Sequence, residues 1–194
     1  MPISFFSAYS RTLSAAAIIV LSVYIFYGGV SGAVYPGLLG LFEWLETTPF
    51  GYIGKTWGAA FAFVEAIHLL GLAVLGGCVI ASDGRLLGLV LTDVDAHTVF
   101  QRTNKVFFWA LVTLLATGVF MACGVATKIY YLPVYWFKML ALVAGMLFHY
   151  QIRNPLLQHN LNDLNPVVTR LVAISSILVW FMVAATGRWI GFSG

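Results

Sequence analysis

The chain has 194 residues, of which 61% are hydrophobic and 9% charged, with a mean hydropathy of +0.93 and a net charge of +3. Ordinary soluble domains are roughly 45–50% apolar and about 25% charged, so a water-soluble core of this size is excluded and an integral membrane protein is expected. The ten Lys and Arg residues stand singly between apolar runs, which argues against a nucleic-acid partner and for a role in setting topology.

In chain order, five apolar stretches meet the roughly 20-residue requirement for crossing about 30 Å of hydrocarbon. They cover about 11–33, 56–82, 104–126, 133–153 and 166–188. The expected fold is therefore all-α, one domain built as a bundle of five transmembrane helices. The first stretch follows a single basic residue, Arg11, and is longer than a signal-peptide core, so it reads as a membrane helix. Between the first two spans, about 37–47, Leu38, Leu39, Leu41, Phe42 and Trp44 mix with Glu43 and Glu46. That pattern predicts a short interfacial helix, broken by Thr47-Thr48-Pro49. The loop from Asp83 to Thr103 is expected to include a short surface helix. Asn165-Pro166 marks the start of the last span.

Arg11, Arg85, Arg102, Lys105, Arg153 and Arg170 fall on one side of this arrangement, and Lys55, Lys128, Arg188 and Lys138 on the other. The excess makes the first side cytoplasmic, with the N-terminus inside and the C-terminus outside a bacterial inner membrane. Cys78 and Cys123 each lie in a span and read as small buried residues. No Cys-x-x-Cys-His is present, so covalent haem attachment is excluded.

The chemistry concentrates in Val64-Glu65-Ala66-Ile67-His68-Leu69-Leu70-Gly71, where a carboxylate and an imidazole lie one helical turn apart inside an apolar run. Ionisable groups at that depth are costly and generally have a partner or a task. Of the four histidines, His68 and His149 fall within spans, and His97 and His159 in loops, where they read as surface residues. Residue counting places His149 deeper than His68 by about 5–8 Å, a gap that helix tilt can close. Two neutral imidazoles facing each other across a bundle suit the iron of a b-type haem. Gly71 and Gly145 share a helix face with their respective histidines and would leave room for a flat macrocycle, although helix packing wants small residues equally. Glu65 is placed to accept a hydrogen bond, pair with Lys138 or relay a proton. Lys138 either snorkels to the interface or offers a cation to a haem propionate or an anionic quinol.

The run from Glu65 through Gly77, followed by Asp83 and Arg85-Leu86-Leu87-Gly88-Leu89, resembles the CopD-like bacterial membrane proteins. It is most similar to an uncharacterised family within that group. Tyr130-Tyr131, Tyr135-Trp136-Phe137-Lys138-Met139, His149 and the C-terminal Gly187-Arg188-Trp189-Ile190-Gly191-Phe192 extend the similarity over about residues 40–194. The Lys138-to-His149 arrangement is similar to that of the HemJ-type protoporphyrinogen oxidases. That resemblance implies a b-type haem with His68 as ligand and Lys138 as a functional cation. The first half of the chain departs from the HemJ pattern, so porphyrinogen oxidation is not implied.

Three functions are open at this stage. One is a b-type cytochrome or haem-bearing subunit, with His68 and His149 on the iron and a quinone or redox subunit as partner. The second is a copper-handling or other metal transporter of CopD type. Against it, the methionines at 121, 139, 146 and 182 are scattered rather than clustered as soft copper would favour. The third is a structural accessory subunit of a larger complex. Small-residue faces leave room for oligomers in any of these.

Overall fold

The computed structural model describes residues 31–158 and 164–193, together with Ala16 and Val20, and side chains from Gly37 onward apart from those two. The predicted first span and His159 thus lie outside the described residues, the span all but completely. All described elements are helical: α1 (Ser31–Thr47), α2 (Pro49–Thr56), α3 (Gly58–Leu86), α4 (Ala96–Gly124), α5 (Ala126–Tyr130), α6 (Pro133–Leu147), a π-helical segment (Phe148–Arg153), α7 (Asn154–Leu157) and α8 (Pro166–Ile190).

Local sequence accounts for most of the breaks. Thr48 caps α2 by accepting a hydrogen bond from the Gly51 amide at 3.2 Å, and Pro49 opens the helix. The α1–α2 corner is too tight for a side chain at Gly51, whose added Cβ would lie 2.5 Å from the Leu45 carbonyl oxygen. Gly88, at φ 74°, ends α3 by letting the Leu89 amide reach the Gly84 carbonyl at 2.9 Å and its own amide reach Arg85 at 3.0 Å. Asp95 caps α4 through the Thr98 amide at 2.9 Å. The segment expected to carry a short surface helix is therefore the end of α3, a loop and the first turns of α4. Asn165 caps α8 through the Val167 amide, with Pro166 at the first helical position.

Three described helices are long and apolar enough to cross a membrane: α3, α4 and α8. The predicted fourth span, 133–153, is built differently. Its 15-residue α-helix, α6, passes directly into the π-helical Phe148–Arg153 segment. The α-helical part alone is shorter than a bilayer crossing needs.

The molecule has two separate cores. At one end, called here the Asp83 end, Leu75, Cys78, Val79, Phe107, Ala110, Leu111, Trp180 and Val183 pack together. At the opposite Tyr130 end, Phe42 of α1 packs with Ala126, Ile129 and Tyr130. Between them the packing is looser among the described residues. No residue is buried in α3 before Gly71, in α4 between Leu111 and Cys123, or in α8 after Val183.

Candidate functional site

The register of the bundle is set by a buried ion pair. Arg153 donates from Nε and Nη2 to Asp83 Oδ1 at 2.9 and 2.6 Å, and from Nη2 to Ser82 Oγ at 2.7 Å. The two side chains are 3% and 0% exposed. Arg153, expected to face water and set topology, is instead locked inside the protein. Lys138 precedes Arg153 by fifteen residues, and His68 precedes Asp83 by the same fifteen, on helices that run in the same direction. The ion pair therefore brings His68 and Lys138 to one level.

At that level His68 Nδ1 meets Thr117 Oγ1 at 2.8 Å. The Thr117 hydroxyl donates its own proton to the Thr113 carbonyl at 2.6 Å, so toward the imidazole it acts as acceptor. Nδ1 then carries the ring proton and Nε2 keeps a lone pair. Gly118, the next residue of α4, faces the same ring, and a Cβ there would lie 3.4 Å from His68 Cε1. Lys138 rests against Gly187 of α8, where a Cβ would come within 3.5 Å of its Cε. Among the described residues Lys138 makes no ion pair, so of the alternatives open to Glu65 the pairing with Lys138 is not formed. Glu65 is half-buried one turn from His68.

His149 does not join this group. Its Nε2 meets Asn104 Oδ1 at 3.2 Å, and its ring stacks on Phe107 at 3.9 Å and 12°. Asn104 and Thr117 are thirteen residues apart on α4. At about 1.5 Å per residue, the partners of the two histidines stand about 20 Å apart along the axis. The gap estimated from span ends was too small because those ends ignored the Asp83–Arg153 register. One iron cannot take both rings in this arrangement.

The two glycines expected beside a macrocycle also serve other ends. A Cβ on Gly71 would meet Leu114 and Thr113 of α4 at 3.5–3.7 Å, and one on Gly145 would meet Val179 and Trp180 of α8 at 3.1–3.6 Å. Both allow close helix packing. The glycines that do face the ionisable groups, Gly118 and Gly187, were not singled out, nor was Thr117. A hydroxyl and a glycine at adjacent positions of an apolar helix were the available signal, but nothing local ties them to a histidine 49 residues away. His97 is a surface residue in the first turn of α4, near Gln101. Cys78 and Cys123 are buried free thiols, as expected.

At the Tyr130 end, outside the spans, Glu46 ties three elements together. It accepts from Lys55 Nζ and the Thr127 amide, both at 2.8 Å, and from the Thr127 hydroxyl. Burial alone would raise its pKa, but the Lys55 and Thr127 hydrogen bonds outweigh that and hold it at about 2.

Residues 41–193 match the model of a family of unknown function, DUF6644, and the chain belongs to that family. No curated protein and no solved structure matches it.

Proposed function

We propose that the protein is a membrane-embedded b-type haem protein in which His68 is the iron ligand, and that it works in electron transfer. The observation that carries this reading is the tautomer of His68. Its Nδ1–H is committed to Thr117, whose own proton is committed elsewhere, so Nε2 is held with a free lone pair. Metal-ligating histidines almost always donate their second ring nitrogen in this way. Gly118 and Gly187 keep side-chain bulk off the neighbouring walls, and Lys138 is a half-buried cation suited to a propionate. The layer between the two cores is the part of the described molecule with the fewest buried residues, and it is there that this reading puts a large planar group.

A haem bound there supplies one-electron chemistry. The chain orients the His68 ring through Thr117, offsets negative charge through Lys138, and keeps Glu65 one turn away as an acceptor or proton carrier. The protein reads as a resident of the bacterial inner membrane with the Asp83 end toward the cytoplasm, because Arg85, Arg102, Lys105 and Arg170 gather there. A quinone or a redox subunit is the partner that one haem of this kind requires. Copper suits the donor set poorly: among the described residues no three His, Cys, Asp or Glu side chains cluster as a metal site.

The test is a pyridine haemochrome assay with a reduced-minus-oxidised spectrum on purified protein and two variants. The wild type should show a b-type α band, His68→Ala should lose it, and His149→Phe should keep it. A wild-type protein without haem from haem-replete cells sinks the proposal, as does loss of haem from the His149 variant alone.

A further inference from the structure

The Asp83 end contains a second polar group that the proposed haem site does not use. Among the described residues the buried atoms His149 Nδ1, Asn154 Oδ1 and Trp180 Nε1 have no hydrogen-bond partner there, and Asp83 Oδ2 and Ser176 Oγ have none beyond each other. They come from α3, the π-helical segment, α7 and α8. His149 and Trp180 are edge-to-face neighbours, with ring centroids 6.3 Å apart. Ser176, wholly buried, lies one turn before Trp180 and beside the Asp83 carboxylate. Both donors and acceptors are represented. Trp180 can only donate and Asp83 Oδ2 can only accept. With Asn104 presenting Oδ1 to His149 Nε2, the imidazole carries its proton on Nε2 and offers a lone pair at Nδ1.

Orphaned buried polar atoms are uncommon in native proteins, and His149 Nδ1 calls for a partner. Beside His149 is a cavity of about 10 Å³ whose lining also includes Cys78, Val79, Thr103, Asn104, Phe107 and Arg153. That volume accommodates about one water molecule, which needs two to four polar neighbours. Thr103 donates its proton to the Val99 and Phe100 carbonyls and so can accept from a guest. The guest is not a cation, because the Arg153 guanidinium both lines the cavity and already neutralises Asp83. It is not a polyatomic anion, which would not fit.

We propose that this cavity is a binding site for an internal water that hydrogen-bonds His149, and that the Asp83–Arg153–His149 cluster is a hydrated proton-exchange site at this end of the bundle. The π-helical segment supports it by carrying both His149 and Arg153 inward, and such irregular turns recur at functional sites. The inference is independent of the haem reading and stands or falls without it.

Water-edited solid-state NMR on the full chain in lipid vesicles, with ¹⁵N-labelled imidazoles, tests it. Water magnetisation should reach the His149 ring as it reaches the exposed Trp189 indole, and should not reach the Leu111 methyls of the apolar core. The His149 signal is assigned by its absence in His149→Gln. Cys78→Leu, which fills the cavity, should abolish the transfer to His149. If that variant does not fold, Val79→Ile fills the same space with one added methylene. No transfer in the wild type overturns the proposal, and so does undiminished transfer in a folded, cavity-filled variant.

Discussion

His68 and His149 are both intramembrane histidines by sequence, yet the structure puts them in opposite environments. His149 is 2% exposed, stacked on Phe107 and set beside a buried ion pair in the better packed end of the bundle. His68 lies half-buried in a looser layer, with Nδ1 anchored on Thr117 and no hydrogen bond to Nε2 among the described residues. An imidazole enclosed on every side contributes to architecture and short-range proton exchange. Both rings are anchored through one nitrogen, so what separates them is access, and the half-buried His68 is the one a large ligand can reach.

The largest effect that would break this comparison is at the ion pair. Removing one partner of a buried pair strands the other charge, so Asp83→Leu or Arg153→Met should each cost about 3–5 kcal/mol in reversible unfolding in micelles. The double variant should recover most of that loss. If either single substitution is silent, Asp83–Arg153 does not set the register of His68 and Lys138. Next in size is packing. Gly145→Val would press on Val179, already 3.1 Å from an added Cβ, and should cost about 1–3 kcal/mol. Gly77→Ala, with nothing within 4 Å, should leave stability within about 1 kcal/mol of wild type. Equal costs at both positions would erase the distinction between a packed face and an open one.

Thr117→Val removes the acceptor for His68 Nδ1 and should cost about 0.5–1.5 kcal/mol, with Thr117→Ser close to wild type. In haem-loaded protein the Val variant should also shift the reduction potential, which a purely structural threonine would not do. The smallest effect concerns acid. Glu46 has a folded pKa of about 2, below its ordinary value of 4.5. Its contribution is therefore complete above that ordinary value and is lost as pH falls toward 2. Fluorescence of Trp44, in the last turn of α1, should report loosening of α1 over that window. Glu46→Gln should remove the dependence, and an unchanged acid response in that variant would show that Glu46 is not its source.

Much of the helical layout was legible in the sequence, because each residue in lipid contributes to span formation nearly independently. α3, α4 and α8 cover most of three of the five expected spans, and Thr47-Thr48-Pro49 breaks α1 from α2 where expected. The expected surface helix after Asp83 failed because Gly88 and Asp95 already define the ends of two long helices. The site was only partly legible. Glu65, His68 and Lys138 stand out as charges in apolar runs, but Thr117, Gly118 and Gly187 matter only through what faces them. Arg153 looked like a loop cation, since its partner is seventy residues away.

Sequence by itself determined that this chain is helical, apolar enough for membrane-crossing segments, and that a few ionisable groups lie within them. Those properties are sums over neighbouring residues. Tertiary structure alone decided which histidine is enclosed and which is only half-buried. That choice depends on helix rotation and register, and a single long-range contact between Asp83 and Arg153 shifts every residue on one helix relative to the other.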